Sequence, residues 1–316
     1  MRTLITGANG FIGKALCNAF IEKGYSVRGT FRSKEKIPAS PEMECVAVGD
    51  IGPKTSWEEA LIGIDRVVHL AARVHILRDS DVNPLDAYRY VNTEGTRRLA
   101  VAAVRSGVRR LIYLSTVKVN GEETGEKPFT EMDPTRPQDP YAISKLEAEE
   151  VLQETARKTG LEVVIIRPPL VYGPGVRANF LRLMRWIDRG VPLPFGGIDN
   201  QRSMVYIGNL IDALMTCVSH EKAAGETFLV SDGKEFSTLE WMRMIAEAMG
   251  KKTRQLSVPG RLLKVLGRIT GQSEEIKRLT GSLVIDINKI RNLLEWWPPF
   301  TVQDGIKDTV RWYQSL

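Results

Sequence analysis

The sequence predicts an α/β fold, a doubly wound parallel sheet followed by a smaller, mostly helical C-terminal domain. Two observations carry that prediction. Over the first half, short apolar runs (residues 4–5, 25–30, 45–48, 67–70, 111–114 and 163–166) alternate with stretches of helical pattern (11–23, 57–61, 86–106 and 141–159). Runs of this kind are strands buried on both faces, and right-handed crossovers through the intervening helices make such a sheet parallel. Beyond residue 166, Arg167-Pro168-Pro169 and Tyr172-Gly173-Pro174-Gly175 interrupt regular structure, and helical patterns follow at 179–188, 209–219, 239–249 and 302–313. The expected division is 1–168 for the first domain and 169–316 for the second, with some later segments packing back on the first.

The first strand runs into Thr6-Gly7-Ala8-Asn9-Gly10-Phe11-Ile12-Gly13, which opens the first helix. Glycine at 7 permits a tight turn, at 10 a close backbone approach to a pyrophosphate, and at 13 close helix–strand packing. Phosphates then meet the free N–H groups at the helix start. This is a Rossmann-type arrangement, with Gly7, Asn9, Gly10, Phe11, Ile12 and Gly13 as candidate cofactor ligands.

The second strand sets the cofactor expected. Val27-Arg28-Gly29-Thr30-Phe31-Arg32-Ser33-Lys34 has no carboxylate before Glu35 to take ribose hydroxyls. Arg32 and Lys34, helped by Ser33 or Arg28, suit a 2′-phosphate, so NADP(H) is favoured and NAD(H) is the other possibility. Asp50 and Ile51 are placed to meet the adenine, and Leu70, Ala71 and Ala72 to pass beneath the nicotinamide.

Asp139-Pro140 is a helix-opening pair, so Tyr141 and Lys145 lie one turn apart on one face. A phenol is a poor base at neutral pH, and a nearby ammonium favours its ionised form, so Lys145 is expected to tune Tyr141 for acid–base work. Upstream, a strand ends on Ser115 and Thr116, whose hydroxyls suit holding a reacting oxygen. Asn92, in the preceding helix, is expected to brace the site and to lie among the cofactor-binding residues.

This combination resembles the extended short-chain dehydrogenase/reductase family, in its nucleotide-sugar epimerase, dehydratase and reductase branch, over essentially the whole chain. The resemblance makes Tyr141 and Lys145 the catalytic pair, both also touching cofactor, and Thr116 the catalytic hydroxyl with Ser115 beside it. It places Pro168 in a segment closing over the nicotinamide. It implies a UDP-sugar held by Thr116, Asn179, Arg202 and Arg278, with Phe195-Gly196-Gly197 enclosing the base. A homodimer through helices 86–106 and 141–159 is a further implication. Two departures stand out. Val119-Asn120-Gly121 lacks the usual central tyrosine, which leaves contacts near the sugar open to differ, and Thr116 is followed by Val117-Lys118 where dehydratases carry Asp-Glu.

Dehydration is therefore disfavoured. Ser-Thr-Val-Lys-Val-Asn-Gly resembles a bacterial polysaccharide-biosynthesis subgroup that includes UDP-glucose 4-epimerase-like proteins and UDP-4-keto-sugar reductases. With the basic loop at Arg32, the expected reaction is NADPH-dependent reduction of a UDP-4-keto-6-deoxy-hexosamine. The alternative is 4-epimerisation of a UDP-hexose or UDP-N-acetylhexosamine with recycled NAD. A non-catalytic cofactor sensor is a remote third reading, which has no need of Tyr141, Lys145 and Thr116.

Composition narrows the remaining classes. The net charge of +6 is spread along the chain and no nucleic-acid-binding motif accompanies it, so a nucleic-acid partner is not expected. Three scattered cysteines and three isolated histidines give neither a disulfide framework nor a metal-ligand pattern. No apolar run reaches membrane-spanning length, and Met1–Thr6 reads as a strand, not a leader. A cytoplasmic protein without metal is expected. The apolar and basic stretch 261–269 reads as a packed helix, and Trp296-Trp297-Pro298-Pro299 as packing near the C-terminus.

Overall fold

The computed structural model describes residues 1–37, 42–74, 83–191, 198–252, 277 and 279–316. Its strands are β1 (Arg2–Thr6), β2 (Ser26–Phe31), β3 (Glu44–Ala47), β4 (Arg66–His69), β5 (Arg110–Leu114), β6 (Glu162–Arg167), β7 (Leu170–Tyr172), β8 (Arg202–Tyr206), β9 (Thr227–Leu229) and β10 (Glu235–Phe236). Seven of them form one sheet in the order β3-β2-β1-β4-β5-β6-β9, every neighbouring pair parallel. The direction of winding reverses between β1 and β4. In open α/β sheets such a switch point leaves a crevice at the carboxyl ends of the strands, where ligands bind.

The period of two along each strand divides the core. Ile5, Val68, Ile112 and Val164 join a layer with Leu16 and Phe20 of α1 (Phe11–Glu22). Leu4, Val67, Leu111 and Val163 face the other way, into a second apolar layer. After α2 (Glu58–Leu61), the expected single helix over 86–106 is α3 (Pro84–Tyr88), a π-helical turn (Arg89–Glu94) and α4 (Gly95–Arg105). Leu99 and Ala103 of α4 and Leu152 of α5 (Pro140–Thr159) complete the second layer. The π turn widens the coil where Asn92 faces the site.

Chain beyond residue 168 also builds a small sheet, β10-β8-β7, with β7 parallel and β10 antiparallel to β8. Around it lie α6 (Ala178–Asp188), α7 (Ile207–Ser219), α8 (Thr238–Ala248) and, after α9 (Asn288–Leu294), which packs against β9, α10 (Val302–Gln314). β9 returns to the large sheet beside β6, and α7 packs on α1. Residues 281–286 thread between β8 and the loop after β5. There Ser203 N–H donates to Leu283 O (2.8 Å) and Phe129 N–H to Val284 O (2.9 Å). Among the described residues, no helix is long and apolar enough to cross a membrane. Stretch 261–269 lies outside the described residues.

Candidate active site

The glycine turn sits at the carboxyl end of β1. Gly7 has φ +69°, and a Cβ there would meet the Ala71 backbone at 3.1 Å. A Cβ on Gly13 would lie 2.1 Å from the Gly7 carbonyl oxygen, so only glycine allows α1 to start this close to the turn. No side chain caps α1, which leaves its first N–H groups and the positive end of its dipole for an anion. The cradle fits the pyrophosphate of a dinucleotide, and Cβ atoms at 7 and 13 would collide with the backbone that shapes it.

A buried histidine fixes the neighbouring loop. Thr6 Oγ1 accepts from the backbone N–H groups of Leu70 and Ala71 (3.1 Å each), so its own hydrogen donates to His69 Nδ1 (2.7 Å). His69 Nε2–H then donates to Thr96 Oγ1 (3.0 Å). Burial, and secondly the charge of Lys145, lowers the His69 pKa to about 3, so the ring stays neutral and this proton order holds. Leu70, Ala71 and Ala72 are thereby pinned at the end of β4.

The basic loop after β2 is less available than its sequence implies. Arg28 is buried. Its guanidinium donates to the main-chain oxygens of Ala60 (2.8 Å) and Ile62 (2.9 Å) and pairs with Glu44 (2.7 Å), so it braces β2 against α2 and cannot reach a cofactor phosphate. Arg32 pairs with Asp50 at 2.9 Å, so the residues expected at the 2′-phosphate and at the adenine meet each other. Lys34 is exposed, and Ile51 is half-buried with its side chain against Gly95.

The candidate catalytic residues stand on two elements. Asp139 Oδ1 accepts from Ala142 N–H (2.7 Å) and caps α5, with Pro140 in its first turn. Tyr141 is half-buried in that turn, its ring 6.2 Å from that of Tyr88, edge to face. Desolvation pushes Tyr141 well above its ordinary value, and Asp139 and then Tyr88 push the same way. The surrounding side chains thus raise Tyr141, where the Tyr–Lys spacing alone implies a lowering. Lys145 is buried, and burial lowers it to about 7 against the pull of Glu149.

Across from α5, Thr116 caps the short 3-10 turn Val117–Val119 and accepts from Lys118 N–H at 3.3 Å. That bond leaves the Thr116 hydroxyl hydrogen free to donate. Ser115 Oγ is buried without a hydrogen-bond partner. The Pro168 carbonyl holds the turn from below by accepting from Val117 N–H (3.0 Å). Asn92 braces the site through direct side-chain bonds. Its Oδ1 accepts from Arg73 N–H (2.8 Å), and its Nδ2 donates to Arg73 O and Ser144 Oγ (3.0 Å each). Ser144 Oγ donates in turn to the Tyr141 carbonyl (2.8 Å).

Asn120, in the place of the usual tyrosine, faces the core. It is 1% exposed, its Oδ1 accepts from Arg167 (3.1 Å) and its Nδ2 donates to Thr130 O (3.2 Å). Arg167 forms a buried ion pair with Glu149, so Asn120 completes a core network. Asn179 is exposed on α6, accepting from Arg182 (2.8 Å). Arg202 opens β8 and donates to Gly281 O (2.8 Å). Arg278 and the 195–197 loop lie outside the described residues. Sequence reasoning missed His69 and the ion cluster around Lys118; the only sequence sign of the latter is a lysine where dehydratases carry an acid.

Comparison with known proteins places this geometry. Residues 3–231 match the model of the "NAD dependent epimerase/dehydratase family". The chain is 45% identical over 311 residues to a UDP-glucose 4-epimerase of Vibrio cholerae, covering 98% of this chain and 94% of that one. It is 28% identical to the N-acetyl-alpha-D-glucosaminyl-diphospho-ditrans,octacis-undecaprenol 4-epimerase of Escherichia coli O157:H7, over 98% of this chain and 94% of the relative. Among solved structures, UDP-glucuronic acid 4-epimerase from Bacillus cereus with UDP-glucuronic acid and NAD superposes with a TM-score of 0.80. The two are 26% identical, covering 100% of this chain and 99% of that one. With its glycine cradle, switch-point crevice and Tyr/Lys/Thr set, the chain belongs to the NAD dependent epimerase/dehydratase family, within the extended short-chain dehydrogenases/reductases.

Proposed function

We propose that this protein is a UDP-sugar 4-epimerase that keeps and recycles NAD, acting on a UDP-hexose or UDP-N-acetylhexosamine. This replaces NADPH-dependent keto reduction as the preferred reading. The observation that carries it is the 45% identity to a UDP-glucose 4-epimerase over nearly the full length of both chains. The geometry after β2 supports it, because the case for a 2′-phosphate loses Arg28 to the core and finds Arg32 already paired with Asp50.

The Gly7–Gly13 turn and the start of α1 would hold the pyrophosphate, with Leu70–Ala72 beneath the reactive ring. A nicotinamide bound there would supply reversible hydride acceptance at the sugar's C4. The protein's own part is proton handling and orientation. Tyr141 takes the proton of the sugar's O4 hydroxyl as the C4–H bond breaks and gives it back when that bond reforms on the other face. Thr116 donates its hydroxyl hydrogen to the same oxygen and fixes the reacting carbon. Lys145, when protonated, places positive charge one helical turn from the phenol and favours its ionised form. Arg202 and Asn179 are proposed for the nucleotide end of the substrate.

A homodimer through α4 and α5 belongs to the same proposal. A groove of about 420 Å³ there is lined by Arg89, Glu94, Arg97, Glu147, Glu154 and Arg157, whose alternating charges suit a two-fold copy. Sedimentation velocity tests it. The reaction is tested by incubating the NAD-loaded protein with UDP-glucose and, separately, UDP-N-acetylglucosamine and separating the products. Formation of the C4 epimer without added NADPH supports the proposal. Absence of an epimer, with stoichiometric NADPH oxidation on a UDP-4-keto-6-deoxy sugar, overturns it.

A further inference from the structure

Lys118 touches both halves of the catalytic machinery. Its backbone N–H donates to Thr116 Oγ1 at 3.3 Å. Its Nζ lies 2.6 Å from Asp139 Oδ2 and 2.9 Å from Glu122 Oε1. Asp139 is the residue whose other oxygen caps α5 three positions before Ala142, with Tyr141 inside the capped turn. The three charged side chains are only 14–20% exposed, so solvent screens them weakly. We propose that Lys118 is a positioning residue for the epimerisation, clamping the Thr116 turn to the N-terminus of the Tyr141 helix and neutralising the Asp139 carboxylate beside the catalytic phenol.

The proposal rests on the epimerase reading for its reaction, but the clamp itself is a property of the folded chain. Two carboxylates share one ammonium, and one of them must stay in place because it holds the helix cap. Asp139 pushes the Tyr141 phenol upward, away from acid–base use near neutral pH. Lys118 opposes that effect at its source. The side chain also spans 21 residues of sequence, fixing the reach between the hydroxyl at 116 and the phenol at 141. Where dehydratases resembling this chain carry an acidic pair after the threonine, this chain carries a cation that is already engaged.

Groups facing Tyr141 set the reference for any titration. Among the described residues they include Asp139 at the cap, Lys145 one turn along, Tyr88 from α3 with the Arg73 guanidinium 5.5 Å from its ring centre, and Tyr113 from β5. Of these, Asp139 is the one that Lys118 reaches by an ion pair among the described contacts.

The test is direct titration of Tyr141 in the NAD-supplemented full chain labelled with ¹³Cζ-tyrosine, the resonance being assigned by its loss in Tyr141→Phe. Lys118→Met should move the Tyr141 midpoint up by about half a unit to one unit, while Lys118→Arg stays near wild type. Asp139→Asn keeps an oxygen for the cap and should move the midpoint down, so the proposal remains testable if Lys118→Met does not fold. On UDP-glucose, Lys118→Met should lower kcat about tenfold with KM little changed and carry the pH profile to higher pH. A Tyr141 midpoint unmoved by Lys118→Met, or an Asp139→Asn shift in the upward direction, overturns the proposal. Wild-type protein that fails to epimerise any UDP-sugar overturns the epimerase reading alone, since the titration needs no turnover.

Discussion

Lys145 Nζ sits 3.9 Å from the centre of the Tyr113 ring and donates to the Leu114 carbonyl oxygen at 2.6 Å. An ammonium enclosed by a ring face and one carbonyl is poorly solvated, which is why burial brings Lys145 from 10.5 to about 7. Below pH 7 both the folded and the unfolded chain carry this proton, and the cost of burying it is fully present. Between about 7 and 10.5 only the unfolded chain carries it, so this group makes stability rise with pH across that window. Lys145→Met should therefore abolish turnover yet stabilise the fold, by more at pH 7 than at pH 10, the difference being on the order of a few kcal/mol. Urea unfolding at both pH values checks this. Equal effects at the two would show that Lys145 is charged throughout.

The two hydroxyls at the end of β5 should behave differently. In the proposed mechanism Thr116 donates its hydrogen to the reacting oxygen, so Thr116→Val should cost about 10²-fold in kcat while Thr116→Ser keeps most of the activity. Ser115 Oγ is buried without a partner. Ser115→Ala should leave kcat within about twofold and the melting temperature equal or higher, since it removes an unsatisfied hydroxyl. Steady-state kinetics with thermal melts separates the two residues.

Much of this site is legible in the sequence where its signal is local. The strand–glycine turn–helix order, the Asp139-Pro140 start of α5 and the spacing of Tyr141 to Lys145 all depend on residues within a turn or two. What escaped depends on distant partners. Arg28 reads as a helper at the 2′-phosphate because its carbonyl partners, Ala60 on α2 and Ile62 just past it, lie more than 30 residues away. Asn120 reads as a change at the sugar pocket because nothing nearby in sequence shows Arg167 behind it. The helix over 86–106 reads as one continuous helix, and its π turn coincides with bonds from Asn92 to Arg73 and Ser144 that no local signal shows.

The Arg32–Asp50 pair makes cofactor choice adjustable. Asp50→Asn removes the carboxylate that holds the guanidinium, leaving Arg32 able to take a 2′-phosphate. The ratio of NADP to NAD affinity should rise about tenfold in this variant. Titration calorimetry with both dinucleotides checks it. A ratio unchanged from wild type would mean that Arg32 does not face the ribose.

Gly13 is the least replaceable residue of the cradle. A Cβ 2.1 Å from the Gly7 carbonyl oxygen must push α1 away from the turn. Gly13→Ala should weaken NAD binding at least tenfold and cost about 1–3 kcal/mol of stability. Gly24→Ala, whose Cβ would meet nothing within 4 Å, is the control. Its φ is positive (+72°) where that of Gly13 is not, so any loss it shows is backbone strain with none of the crowding. Both are read from the melting temperature with and without saturating NAD.

Hydride recycling at C4 is the central claim, and an isotope follows it most directly. NAD-loaded protein is given UDP-glucose carrying deuterium at C4 in ordinary water, and the product is examined by proton and deuterium NMR. A bound cofactor that receives the C4 hydride and returns it to the opposite face predicts UDP-galactose with deuterium retained at C4. Product with hydrogen at C4, or no product while NADPH is consumed with a UDP-4-keto sugar, would contradict it.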